Sequence, residues 1–243
     1  MKTAAPVKRG FTLIELLVVM GIIGLLVGLL VPVVNLAHLV AQGLATKNTI
    51  NRLEQGLTAF RADFGCYPPS DNTHESLQGR TAYGYKNLAT ALGGPDGVGW
   101  GWDGTPSDTD KKMPFGGTSN EKYGPYFEGA EGQTIPDSFR PPLPILYFRY
   151  EPSEDTPYDY NDNKATDPSK GEDGFVSPNN FLMLVQRRGT NQYVRSDYLL
   201  ISAGPDRVFG YLWVDDSGNY HFPTTWDERA YCDDVANFKF EQY

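Results

Sequence analysis

A run of uncharged, mostly apolar residues near the N-terminus constrains this chain more than any other feature. It extends from Leu16 to Val34 without one charged side chain. About 20 such residues, at a helical rise of 1.5 Å each, cross the hydrocarbon layer of a membrane. An ordinary secretory signal has a shorter apolar core that is followed by a cleavage site between small residues. The run therefore predicts a membrane-spanning helix.

The charges on either side of this run predict its orientation. Lys2, Lys8 and Arg9 precede it with no acid among them, and the whole chain carries a formal charge of −9. Basic residues flank the cytoplasmic end of a membrane helix, so we expect the N-terminus in the cytoplasm. The rest of the chain is strongly acidic and would repel a phosphate backbone. We therefore expect no nucleic-acid partner, whereas divalent cations suit such a body.

The apolar pattern continues beyond the run with helical spacing. Over residues 35–63, apolar side chains recur at three- and four-residue steps, as Leu36, Leu39, Val40, Leu44, Ile50, Leu53, Leu57 and Phe60. Such a stripe is typical of an amphipathic helix that packs against a body. We therefore predict one continuous helix from about residue 11 to residue 63, with a kink or a loosened turn at Pro32. Gly24 and Gly28 form a small-xxx-small pair that would let another helix approach, although glycine is common in membrane helices anyway.

Glu15 is the residue of this segment that is energetically costly to place in a membrane. A carboxylate deep in a membrane helix costs about 2.5–3.5 kcal/mol on insertion scales, and it often marks a partner. The alternative is that Glu15 lies at the headgroup level, where the cost is small. If the chain were cut between Gly10 and Phe11, a new α-amine would appear one helical turn from Glu15 and could pair with it.

The stretch RGFTLIELLVVMGIIGLL resembles the prepilin cleavage and methylation signature of type IV pilins and type II secretion pseudopilins. The resemblance implies that a membrane prepilin peptidase cuts after Gly10 and that Phe11 is N-methylated. It also implies that Glu15 pairs with the amine of an adjacent subunit as helices stack into a fibre, and Pro32 falls where the family has a helix-kinking proline. The predicted organisation is a leader (1–10), a membrane and assembly segment (11–34), an amphipathic continuation (35–63) and a periplasmic body (64–243).

The body alternates turn clusters with short apolar segments, which favours an α+β arrangement. We predict a long helix packed on a small antiparallel sheet, a pilin-like fold with enlarged surface loops at 94–123 and 152–178. The predicted elements are a short helix at 85–94, strands at 145–150, 181–188, 197–204 and 208–214, and a hairpin turn within 214–222.

Segments of the body resemble the major pseudopilin family of type II secretion. They include RADFGCYPPS, YGPYFEG, IPDSFRPPLPILYFRYEP, DYLLISAGPD and CDDVANF. The resemblance implies a calcium site that uses Asp206 and Asp233 or Asp234, with main-chain oxygens near Ser202; carboxylate and carbonyl oxygens are the ligands that calcium prefers. Residues 208–231 form a much longer insertion between the two acidic halves than the family has. Solvated turn acids are therefore the alternative.

Other signals point to no enzyme. His38, His74 and His221 are scattered, and no nucleophile motif is found. GWGWDG at 99–104 satisfies a dinucleotide-binding pattern, but no apolar strand precedes it and no helix follows, so we predict a loop with exposed Trp100 and Trp102. Cys66 and Cys232 are either joined in a disulfide or two unpaired thiols, since spacing cannot decide between them.

The expected function is that of a structural subunit of a type II secretion pseudopilus. Its expected partners are copies of itself, other pseudopilins, the prepilin peptidase, the inner-membrane secretion platform and the bacterial inner membrane. The alternatives are a minor or DNA-uptake pilin-like protein, and a membrane-anchored binding module that never polymerises and presents Trp- and Tyr-rich loops to a ligand.

Overall fold

The fold was analysed in a computed structural model. The described residues are 12–71, 83–94, 99–101, 121–129, 134–152, 156–163, 174–175, 178–188, 190, 192–210, 213–214, 220–221 and 232–239.

The N-terminal helix, α1, extends from Leu13 to Phe64 and is continuous through Pro32. It ends at Gly65, whose φ of 76° lies in the left-handed region that favours glycine. The amide of Gly65 donates a hydrogen bond to the carbonyl of Arg61 at 2.8 Å, which closes the last turn. The prediction of one long helix is confirmed.

The chain divides into two units, Met1–Ala41 and Gln42–Tyr243. In the second unit α1 buries a stripe that is completely shielded from solvent: Ile50, Leu53, Leu57 and Phe60. The predicted stripe was too long at its N-terminal side, because its first four residues are exposed: Leu36, Leu39, Val40 and Leu44. Helical apolar spacing alone does not show where the body begins to cover the helix; the first buried residue of α1 is Thr46.

The remaining elements are short. The helices are α2 (Gly84–Gly93) and α3 (Pro178–Val185), and a 3-10 turn spans Tyr160–Asn163. The strands are β1 (Trp100–Gly101), β2 (Lys122–Tyr123), β3 (Leu146–Arg149), β4 (Tyr198–Ser202), β5 (Trp213–Val214), β6 (Tyr220–His221) and β7 (Val235–Ala236). Within the described ranges they form three antiparallel sheets with the orders β1-β2, β3-β4-β7 and β5-β6.

The β3-β4-β7 sheet lies between two apolar clusters. Side chains alternate between the faces of a strand, so Tyr147 and Leu200 pack in the cluster that contains the buried stripe of α1 and the residues of α2. Phe148 and Ile201 point to the other face, into a cluster with α3 and Phe175. A long helix and small antiparallel sheets in one chain confirm the predicted α+β class.

One prediction about the body's elements was wrong, and another was confirmed only in part. Residues 181–188 do not form a strand, because Phe181–Val185 belongs to α3. A short apolar run does not distinguish a strand from a buried helix, and Pro178 suits the first position of a helix. Of the strand predicted at 208–214, Trp213 and Val214 form β5; Phe209 instead is buried in the cluster around α3. The hairpin is confirmed, since β5 pairs with β6.

The prediction of an exposed Trp100 was also wrong. This side chain is only 3% exposed, and its indole N–H donates to the carbonyl of Ala91 at 2.8 Å. A tryptophan that finds an acceptor for its N–H can be buried at low cost. Trp102 and most of the two enlarged loops at 94–123 and 152–178 lie outside the described residues.

Candidate functional site

Glu15 forms a capping box with Thr12 at the start of α1. The Thr12 amide and hydroxyl both donate to Glu15 Oε2, at 2.8 and 2.7 Å, and the Glu15 amide donates back to the Thr12 hydroxyl at 3.4 Å. Two donors of the first turn are thereby satisfied. The sequence T-L-I-E carries the capping-box signature, so Thr12 could have been identified from the sequence as a partner of Glu15.

The other residues predicted for processing and assembly either lie outside the described residues or make no contact that the structure shows to be special. Gly10 and Phe11 lie outside the described residues. A Cβ built on Gly24 or Gly28 would meet nothing within 4 Å among the described residues, so both glycines face open space on this single chain. Pro32 lies inside α1, which continues past it.

The N-terminal part of α1 exposes a large apolar surface. Its large hydrophobic side chains range from 41% exposed at Val34 to 82% at Leu13. Soluble monomers rarely expose so large a continuous apolar surface. Within the described residues, α1 is the one helix that is long and apolar enough to cross a membrane. This agrees with membrane anchoring.

Three aspartates that are distant in sequence form an acid cluster: Asp206, Asp233 and Asp234. Asp206 lies on the loop after β4, and the other two directly precede β7. Because Ser202 of β4 pairs with Val235 of β7, the two acidic segments meet at one edge of the sheet. One carboxylate oxygen from each aspartate lies within 4.8 Å of the others. The long insertion at 208–231 has therefore not separated the two halves.

Each carboxylate of the acid cluster accepts a main-chain amide with one of its two oxygens. The amide of Val208 donates to Asp206 Oδ1 at 2.8 Å, that of Asp206 to Asp233 Oδ2 at 3.3 Å, and that of Gly210 to Asp234 Oδ2 at 2.8 Å. The second oxygen of each aspartate is buried and has no hydrogen-bond partner among the described residues. A buried oxygen without a partner costs free energy, so these three oxygens are candidate ligands for a cation.

Burial also disfavours the charged form of these acids. Burial, with a smaller contribution from the negative charge of Asp233, raises the pKa of Asp206 to about 7. Burial raises the pKa of Asp233 as well, and that of Asp234, which is only 7% exposed, lies well above its ordinary range. Three desolvated carboxylates at this spacing repel one another, and a bound cation would relieve that repulsion.

Gly204 allows the acid cluster to close. Its φ is 65°, and a Cβ at this position would lie 2.3 Å from the main-chain oxygen of Asp233. Any side chain here would therefore push the two acidic segments apart.

An ion pair that the sequence did not reveal lies beside the acid cluster. Arg207 donates through Nη1 to Asp137 Oδ2 at 2.8 Å and through Nη2 to Asp137 Oδ1 at 3.2 Å. The carboxyl of Asp137 is completely buried, and it also accepts the hydroxyl of Ser202 at 2.7 Å. No residue pattern links positions 137 and 207, so only the fold identifies this pair.

The acid cluster suits a hard divalent cation. Its donors are all oxygens, and calcium takes six to eight of these from carboxylates, carbonyls and water. Three carboxylates, each with one oxygen that has no partner among the described residues, therefore fit calcium better than a metal that prefers sulfur or nitrogen. Of the two alternatives for Cys66 and Cys232, a disulfide or two unpaired thiols, the structure has the unpaired thiols.

The comparisons with known proteins concern only the start of the chain. A family described as a prokaryotic N-terminal methylation motif matches residues 6–31. Neither a curated protein nor a solved structure matches the chain. The motif is typical of type IV pilin-like proteins, so the predicted signature is confirmed at that level.

Proposed function

We propose that this protein is a structural subunit of a type II secretion pseudopilus. In this proposal prepilin peptidase removes residues 1–10, the mature chain is held in the bacterial inner membrane by α1, and its body lies in the periplasm. Copies then stack their helices into a fibre with other pseudopilins on the inner-membrane platform. The methylation motif at residues 6–31 is the observation that carries the proposal.

The environment of Glu15 gives the proposal a mechanism. In the single chain its carboxylate is satisfied by Thr12, and residues 13–34 around it are otherwise uncharged and exposed. Cleavage after Gly10 would create an α-amine on Phe11, next to Thr12. A cation on a neighbouring subunit would then compete with Thr12 for the carboxylate, which would fix the register of two apolar helices.

Substitution of Glu15 tests this mechanism. We expect Glu15→Leu to be cleaved normally but to lose fibre assembly and secretion. Its apolar helix would stay in the membrane, because it lacks the carboxylate that pairs with the amine of a neighbouring subunit. Glu15→Asp keeps the charge and serves as the matched control, which should retain part of the assembly. The measurements are the intact mass of the mature chain and the amount of fibre sheared from cells. Normal assembly of Glu15→Leu would refute the proposal.

We also propose that the acid cluster binds calcium as a structural ion. A ligand that binds only the folded state stabilises it by about 2.7 kcal/mol at 100 times its dissociation constant. Calcium should therefore raise the melting temperature of the full-length protein in detergent, and a chelator should reverse the rise. Asp234→Asn should abolish the effect. An unchanged melting temperature of the wild type with calcium and with chelator would count against bound calcium.

The alternative of an anchored binding module has lost one of its supports, because Trp100 is buried rather than presented to a ligand. The acidic composition gives no support to DNA uptake.

A further inference from the structure

The loop that carries Asp206 is held at both ends by one buried carboxylate. We call residues 203–206 the acid loop; Ser202 precedes it and Arg207 follows it. The hydroxyl of Ser202 and Nη1 of Arg207 both donate to Asp137 Oδ2, at 2.7 and 2.8 Å. Arg207 Nη1 also donates to the carbonyl of Gly204 inside the loop at 2.8 Å. The path of the acid loop is therefore tied to the position of Asp137.

Asp137 is itself fixed to the body. Its amide donates to the carbonyl of Leu143 at 2.8 Å, and the Leu143 amide donates to Asp137 Oδ1 at 3.2 Å. The next amide, that of Ser138, donates to the Thr46 hydroxyl on α1 at 3.0 Å. Asp137 thus connects the acid loop to Leu143 and, through the neighbouring Ser138, to α1.

Stability alone does not explain this arrangement. A buried ion pair often contributes little net stability relative to apolar residues of the same size, because both charges lose their hydration. Arg207 also adopts a φ of 65°, an unusual conformation for a residue with a side chain. A bidentate pair with a fixed geometry instead favours one conformation of the segment that it joins.

We propose that Asp137 is a positioning residue for the cation site, which holds both ends of the acid loop so that Asp206 faces Asp233 and Asp234. This inference rests on the proposed calcium function. Asp137 does not belong to the acid cluster and is engaged by Ser202, Arg207 and Leu143, so it acts through the loop and not as a ligand. Groups that orient metal ligands typically change metal affinity by about 10- to 100-fold when they are replaced.

Asp137→Asn in the full-length protein in detergent tests the inference. The amide keeps the size of the side chain but removes the charge that Arg207 binds. We expect the dissociation constant for calcium to rise about 10- to 100-fold. In the metal-free protein, we expect faster hydrogen exchange at the amides of Asp206 and Val208, which are bonded within the cluster.

Asp162→Asn is the matched control. Asp162 is another buried carboxyl that accepts a serine hydroxyl, that of Ser70, but it lies on the 3-10 turn at Tyr160–Asn163. This variant should lose thermal stability while it binds calcium with the wild-type dissociation constant. Ser202→Ala removes the hydrogen bond from one end of the acid loop to Asp137 and keeps the ion pair, so it should raise the dissociation constant for calcium by a smaller factor. This variant tests the inference if Asp137→Asn does not fold.

The outcomes separate this inference from the calcium proposal. Wild-type calcium affinity and unchanged exchange in Asp137→Asn would overturn the positioning role, as would an equal loss of affinity in Asp162→Asn. If the wild type itself binds no calcium, the calcium proposal fails and the role toward a cation fails with it. Hydrogen exchange of the metal-free variants then decides whether Asp137 orders the acid loop.

Discussion

Alanine substitution at Gly204 should lower the free energy of unfolding for two reasons, the left-handed backbone conformation and a steric conflict of the new Cβ. Gly204 and Gly65 both have a positive φ, 65° and 76°. A Cβ on Gly65 would meet nothing within 4 Å among the described residues, whereas a Cβ on Gly204 would lie 2.3 Å from the main-chain oxygen of Asp233. Gly65→Ala therefore measures the cost of the backbone conformation alone, and Gly204→Ala adds the steric conflict.

The expected magnitudes follow from these contacts. A left-handed conformation costs a residue with a Cβ about 1–2 kcal/mol. The reduced entropy of the unfolded chain offsets about 0.4–1 kcal/mol of this, so Gly65→Ala should lose roughly 1 kcal/mol. Steric conflict in a packed site adds about 1–3 kcal/mol, because the main chain of Asp233 cannot rotate away as a flexible side chain could. Gly204→Ala should therefore lose about 2–4 kcal/mol in total.

Urea unfolding of the full-length protein in detergent, followed by tryptophan fluorescence, measures both losses. The midpoints should shift while the slopes stay equal, because the surface exposed on unfolding does not change. Gly204→Ala should also weaken the stabilisation by calcium, since its Cβ would lie 2.9 Å from Asp233 Oδ1, an oxygen of the acid cluster that has no partner among the described residues. Equal losses of stability in the two variants, with equal responses to calcium, would refute this account of Gly204.

Two further predictions concern pH and the covered part of α1. Because burial raises the pKa of Asp206 to about 7, the folded state binds a proton that the unfolded state releases near pH 4. The metal-free protein should therefore lose stability as the pH rises from about 4 to about 7. Melting curves should show a smaller loss in Asp206→Asn. An equal loss in both proteins would contradict the raised pKa of Asp206. Leu57→Ala should lower the free energy of unfolding of the body by about 2–5 kcal/mol, because this side chain is completely buried, whereas Leu30→Ala, at an exposed position, should leave it nearly unchanged in the same urea titration. Similar losses in both leucine variants would mean that the body covers a different part of α1.

The elements that the sequence predicted well are those with a strong local pattern. The uncharged run and the helical stripe identified α1, and runs of four apolar residues at 145–148 and 198–201 identified β3 and β4. The run in α3 was misassigned because five consecutive apolar residues, 181–185, fit a strand as well as a helix. Trp100 was misplaced because its acceptor, the carbonyl of Ala91, is apparent only in the folded chain.

The residues of the candidate sites also differ in whether a local sequence pattern identifies them. Glu15 was identified by its chemical cost in an apolar helix, and its partner Thr12 was missed although it lies three residues away. Asp206 was connected with Asp233 and Asp234 through a resemblance, because spacing in a single sequence does not show that β4 and β7 are neighbours. The burial of Asp137 was not predicted, because a carboxylate in an acidic chain is usually solvated and no local sequence pattern distinguishes a buried one.

The meeting of Asp206 and Asp233 has a practical consequence for engineering. Their contact, 3.3 Å from the amide of Asp206 to Asp233 Oδ2, places the two ends of the intervening segment side by side. A segment that leaves and returns at one point can change in length at little cost, because the entropy of closing a loop grows only slowly with its length. The connection between the paired strands β5 and β6, within this segment, is therefore a suitable place to insert a peptide tag or a fluorescent label.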